Sequence, residues 1–208
     1  MTLIADRFQP LEPPRAGQPL RARDVNTAQT VLLREVQLSA DRCKAAYARA
    51  KAVCEVFHPA LVTLFDVAYS EDHRLLLAYE YVPSQTLAQV SGGQRFGIKR
   101  AAEIVAELAD AAAELHARGL AHGGISQTSA VVTLKGKTKL DRLGDPSVAP
   151  LDGNAAGDIV ALGNLLRELI GTPGGGVAGA QGLDLIIARA RDGKFDSAAS
   201  LAGMLRRI

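Results

Sequence analysis

The sequence predicts an α+β fold, with short β-rich runs before about residue 82 and mostly helices after it. Three observations carry this. Apolar runs at Thr30–Val36, after His58-Pro59 and within His73–Val82 are short and bounded by turn residues. A strong 3.6-residue apolar period occupies Ile98–Arg118. Two further β-rich runs, Ala130–Leu134 and Lys137–Leu143, are split by Lys135-Gly136, a two-residue hairpin signal. A length of 208 residues fits one domain, or two lobes sharing one cleft.

The elements follow in order. Arg7–Leu38 holds three strands, with Leu20–Asp24 and Thr30–Val36 as the second and third. The turn between the first two carries Pro10, Pro13, Pro14 and Pro19 but only Gly17, so it lacks backbone donors and is stiff. Ser39 is placed to cap a helix running to about Phe57, with Ala45, Ala48, Ala52 and Val56 on its apolar side. Cys43 and Cys54 share that predicted helix, about 16 Å apart at 1.5 Å per residue, so they cannot pair. His58-Pro59 is a turn before a fourth strand reaching Val67, and His73–Val82 is the fifth. Ser91-Gly92-Gly93 is a loop. The helix from Ile98 buries Ala101, Ile104, Val105, Leu108, Ala112 and Leu115, and Gly119 suits the left-handed position just past its end. A second apolar helix spans Gly157–Gly171. Thr172–Gly182 reads as a Gly-rich linker, and Leu183–Arg191 and Ser197–Ile208 as two short helices.

Apolar content is 48%, charged content 22% and aromatic content 4%, with no Trp, so Ala, Leu and Val must fill the core. A net charge of +2 gives no electrostatic case for nucleic acid or a membrane surface. No apolar run is long enough to span a bilayer and no signal pattern opens the chain. A cytoplasmic location is expected, whether as this chain alone or as the cytoplasmic part of a longer membrane protein.

The stretch from Glu114 to Gly144, with His122-Gly123-Gly124-Ile125-Ser126-Gln127-Thr128-Ser129 and then Arg142-Leu143-Gly144, resembles the catalytic loop and metal-binding hairpin of bacterial, eukaryotic-like serine/threonine protein kinases. The family's motifs there are His-Arg-Asp-x-Lys-x-x-Asn and Asp-Phe-Gly. The resemblance implies a two-lobed fold, a β-rich N-lobe at about 1–82 and a shortened helical C-lobe at about 83–208. It also implies lost chemistry at Gly124, Ser126, Ser129 and Arg142. Gly124 replaces the base, Ser126 the loop Lys, and Ser129 and Arg142 the magnesium ligands. A cation at 142 would repel another positive group by about 4 kcal/mol at 4 Å with an effective dielectric of 20. Asp141, one residue early on a strand, is expected to face the opposite side of the sheet.

Carried along the chain, the resemblance puts Arg34 at the phosphate-pairing Lys and Arg49 at the helix Glu; Glu55 lies too far around the helix to stand in. It puts Tyr79, Glu80 and Val82 at the gatekeeper and hinge of a vestigial nucleotide cleft. His122 and Asp158 fall on architectural positions, Asp158 holding the loop backbone. The segment Asp145–Asn154 is too short to contain the family's peptide-docking platform. These losses imply a pseudokinase without metal or other cofactor, acting as a scaffold or allosteric partner. A protein partner is expected, such as an active kinase or a phosphothreonine-reading domain, and neither nucleic acid nor membrane insertion. Competing readings are a weak or atypical ATP-binding kinase or transferase, and a small-molecule or anion sensor. Arg34, Arg49 and Arg142 form the candidate anion site, with Asp141 or Glu35 as internal neutralising groups, against a plainer reading in which Arg34 points to solvent.

Overall fold

Alternating apolar residues in the first eighty positions build a five-stranded antiparallel sheet of order β1-β2-β3-β5-β4. The computed structural model describes residues 3–69, 74–150, 152–171 and 180–208. The chain divides into two compact units. The first contains Met1–Phe57, Val62–Val82 and Arg142–Ser147, the second His58–Leu61, Pro83–Asp141 and Val148–Ile208. Two short segments therefore change units relative to a division at residue 82.

In the first unit the strands are β1 (Phe8–Pro10), β2 (Leu20–Asp24), β3 (Thr30–Gln37), β4 (Leu64–Tyr69) and β5 (Arg74–Glu80), with helix α1 (Ala40–Val53) after β3. β5 is buried on both faces. Leu76 and Ala78 join Phe8, Leu20, Ala22, Val31 and Leu33 on one side. Leu75, Leu77 and Tyr79 alternate to the other and are fully buried. Each such side chain contributes roughly 1.5–3 kcal/mol of hydrophobic stabilisation. α1 packs against β4 and β5.

α1 departs from expectation in two ways. It ends at Val53, with Cys54 as its C-cap. Its buried face is Cys43, Ala46, Ala50 and Val53, whereas Ala45, Ala48 and Ala52 are exposed. Ser39 occupies the N-cap position without a side-chain hydrogen bond. The fourth strand begins at Leu64, later than expected, because His58–Leu61 turns away into the second unit. His58 Nδ1 accepts the Ala60 N–H at 3.2 Å, a turn contact. His73 lies outside the described residues.

The second unit holds β6 (Ser84–Thr86), α2 (Leu87–Ser91), α3 (Ile98–Ala117), β7 (Ala130–Thr133), β8 (Thr138–Leu140), α4 (Ala155–Ile170), α5 (Ala180–Arg191) and α6 (Ala198–Leu205). β6, β7 and β8 form a three-stranded antiparallel sheet. α3 is the core: its six expected apolar residues are buried, and Ala102, Ala106, Ala109 and Ala111 extend burial around the helix. It packs against α4, α6 and β8. α4 starts at an Asn154 N-cap that accepts the Gly157 N–H at 2.9 Å, two residues before the expected start. α5 begins at Ala180, so the linker is shorter than the sequence suggests. The rest of that linker, 172–179, lies outside the described residues. Among the described residues no helix is long and apolar enough to cross a membrane.

Candidate functional site

The second unit contributes the loop that follows α3. Gly119, at φ 70°, ends the helix, and Leu120 N–H donates back to the Leu115 carbonyl at 3.0 Å. The chain then meets Asp158, placed by the first turn of α4 and 1% exposed. Its carboxylate accepts the N–H groups of His122 and Gly123, each at 2.8 Å, and lies 2.9 Å from His116 Nε2. His122 Nδ1 accepts the Gly124 N–H at 3.2 Å, so its Nε2–H donates to the Asp141 carbonyl at 2.9 Å. Asp141 follows the end of β8, and its N–H donates to the Ser129 carbonyl at 2.7 Å. Ser129 is buried; its hydroxyl donates to the Gly124 carbonyl at 2.6 Å and accepts the Ser126 N–H at 2.9 Å. Ser126 Oγ adds contacts to Thr128 Oγ1 at 3.1 Å and Ser129 Oγ at 3.2 Å. These hydroxyls close the loop on itself.

Position 124 has no room for a side chain. A Cβ there would collide with the Val148 carbonyl oxygen and stand 3.0 Å from its carbon. The short segment after Gly144 thus runs its backbone through the space an acid at 124 would need. Sequence reasoning saw the shortened segment but not where it lies, and nothing in the residue type of Val148 signals it.

The first unit holds the remaining candidates. Arg34 lies opposite Leu77 in the β3–β5 ladder and is half-buried, with its Nε covered. Arg34 and Arg142 line a common cavity of about 730 Å³, to which Arg15, Arg74, Glu35 and Asp145 also contribute. Arg49, half-buried on α1, is not among the residues lining it. Glu35 is engaged by Arg74 at 2.9 Å. Asp145, which sequence reasoning passed over, is 2% exposed and accepts the Ser147 N–H at 2.8 Å and its hydroxyl at 2.6 Å. The Asp-Pro-Ser run was its signal, since such residues close turns through side-chain hydrogen bonds. Arg142 adopts φ 63°, a left-handed conformation uncommon for a side-chain-bearing residue. Tyr79, fully buried, donates its hydroxyl to the Leu143 carbonyl at 2.9 Å. Glu80 N–H donates to the Thr63 carbonyl at 2.8 Å, and its carboxylate accepts the Thr63 N–H at 3.3 Å. Val82 is half-buried beside Tyr81, whose ring lies 5.6 Å from the Arg21 guanidinium.

An ion-pair network braces the same unit. Arg7 forks onto Asp24 at 3.0 and 2.7 Å and reaches Asp66 at 2.6 Å, while Lys51 bonds Asp66 at 2.7 Å. The Arg7 hydrogen bonds outweigh burial and hold the Asp24 carboxyl down at about 2. Burial pushes Asp66 up, but hydrogen bonds from Lys51, Val67 N–H and Arg7 leave it below the ordinary carboxylate value. Burial pushes the Cys54 thiol up to about 11. Both cysteines are free. Among the described residues, no three His, Cys, Asp or Glu side chains gather as a metal-ligand set.

No established protein-family profile matches the chain. The chain spans about a fifth of the length of the curated relative it matches. It is similar to "Serine/threonine-protein kinase pkn3" of Myxococcus xanthus, 30% identical over 121 residues that cover 56% of this chain and 22% of that protein.

Proposed function

We propose that the chain is a pseudokinase, a protein-kinase-like domain that does not transfer phosphate and serves as a signalling scaffold or allosteric protein-binding module. The observation that carries this is Gly124. A general base must come within hydrogen-bond reach of the proton it takes, and the Val148 backbone fills the space where such a side chain would begin. Three further features support it. Ser129 spends its hydroxyl on loop closure, Arg142 puts a cation where the family holds magnesium, and the 145–154 segment is too short for a peptide-docking platform. The likeness to a bacterial serine/threonine kinase supports the ancestry; the loop bracing by Asp158 supports retention of the scaffold. The partner is a protein, an active kinase or a phosphothreonine reader, met in the cytoplasm.

The test is incubation of the purified chain with radiolabelled ATP and magnesium or manganese, with and without a generic protein substrate. No label should appear on either. Labelling that disappears in Arg34→Ala or Ser129→Ala would overturn the proposal.

A further inference from the structure

We infer that the tip of the β7–β8 hairpin is a shallow contact site for an anionic membrane surface, with Leu134 entering the headgroup layer and Lys135, Lys137 and Arg100 meeting the lipid anions. Leu134 is 85% exposed, the most of any large hydrophobic side chain among the described residues. Turn positions ordinarily carry Gly, Asn, Asp or Ser, whose conformational freedom or side-chain hydrogen bonds the turn uses. A leucine offers neither, and its apolar surface is left in water. The turn also holds Lys135 and Lys137, both exposed. Arg100, in the first turn of α3, reaches it and donates to the Gly136 carbonyl at 2.8 Å.

Hydrogen bonds fix this tip. Gly136 N–H donates to the Thr133 carbonyl at 2.8 Å and Thr133 N–H to the Lys137 carbonyl at 2.9 Å. Lys137 N–H donates to the Thr133 hydroxyl at 3.2 Å. Leu134 is therefore held in place beforehand, and little ordering entropy is lost on contact. Three cations stand against two acids, both on α3: Glu103 lies 3.5 Å from Arg100 and Glu107 3.6 Å from Lys137. Glu107 also accepts the Thr138 N–H at 2.9 Å. Such long, solvent-exposed pairs are weak and yield to lipid anions. Lys135 makes no ion pair among the described residues. A net charge of +2 for the whole chain averages this local excess away.

A bilayer fits the tip better than a protein surface does. Protein interfaces bury about 800 Å² a side and favour aromatic residues and Arg over Lys. The 134–137 turn has one apolar residue and no aromatic. Lipid closes around a convex point, and lysines keep their ammonium groups among the headgroups while their stems lie against apolar surface. Each cation near an anionic leaflet strengthens binding by about fivefold, so the contact is reversible and weakens with salt. None of this rests on the non-catalytic reading.

The experiment is sedimentation of the full chain with vesicles of phosphatidylserine and phosphatidylcholine in equal parts, and with pure phosphatidylcholine, at low and high salt. The chain should bind the anionic vesicles at low salt and leave the neutral ones unbound. Lys135→Glu with Lys137→Glu should weaken binding tenfold or more, and Leu134→Ser at least threefold, with melting temperatures unchanged. Lys135→Glu alone decides the charge term if the double variant fails to fold. The sequence has no Trp, so Leu134→Trp supplies a single reporter whose emission should shift to the blue with anionic vesicles and be quenched by brominated lipid. Absence of binding, equal binding to neutral vesicles, or affinity untouched in these variants would overturn the site. A blue shift with a peptide rich in Glu and Leu but none with vesicles would assign the tip to a protein and overturn it equally. Each of these failures would leave the Gly124 argument standing.

Discussion

Asp158 holds three hydrogen-bonding partners while almost wholly removed from water, and losing it would strand one buried and one half-buried backbone donor. Asp158→Ala should cost about 1–3 kcal/mol by leaving the His122 and Gly123 N–H groups unsatisfied, as measured in urea melts. Gly124→Ala should cost on the order of 1–3 kcal/mol by overpacking, because its methyl meets the Val148 carbonyl. Gly124→Asp should be destabilised at least as much and gain no phosphotransfer, checked by melts and by labelled ATP. The pairing of His122 with Asp158 was readable in the sequence because each sits in a motif of recognisable order. The environment of Arg34 was not. A strand arginine looks the same in sequence whether its stem is covered or solvated, and here burial of its Nε depends on tertiary neighbours. His116 as third partner of Asp158 was likewise unreadable, since it sits on α3 outside those motifs.

At the scale of elements, signals with a sharp physical cause were legible and those resting on alanine were not. The β7–β8 hairpin turns through Gly136 with φ 76°, though its strands are shorter and its loop longer than the two-residue turn expected, and Gly119 lies just past the end of α3; both follow from glycine's access to the left-handed region. α1 misled because its sequence offers alanine on nearly every face: Ala45, Ala46, Ala48, Ala50 and Ala52 give no contrast. Cys43 and Val53 set the buried side. The early starts of α4 and α5 reflect the same weakness, since Ala155, Ala156 and Ala180 sit beside glycines that read as linker. The α4 start yields a prediction. Asn154 accepts the Gly157 N–H, so Asn154→Ala should cost about 1 kcal/mol, while Asn154→Asp or Asn154→Ser should retain most of it in thermal melts.

For the molecule as a whole, the Arg7 network decides how the first unit meets acid. It ties the residue before β1 to β2, β4 and α1 through Asp24, Asp66 and Lys51. Asp24 titrates near 2 in the folded chain, below its ordinary 3.8. Its stabilisation is thus complete above about pH 4 and lost as pH falls from there toward about 2. Lys51 is raised above 10.5, chiefly by its bond to Asp66, so its share is present below that value and lost only in stronger alkali. Arg7→Ala should cost on the order of 3 kcal/mol at neutral pH by leaving a buried carboxylate unpaired. It should also flatten the stability profile between about pH 4 and 2, read by urea melts at stepped pH. A loss of stability equal at both pH values would remove Asp24 from that role. The Val148 backbone beside Gly124 has a different consequence, for the routes open to the sequence over time. An acid introduced at 124 meets a carbonyl already in place. On the proposed non-catalytic reading, a rerouted 145–154 segment without that acid gains no chemistry either. On that reading two changes are needed together, and a random library of single substitutions should contain no active kinase.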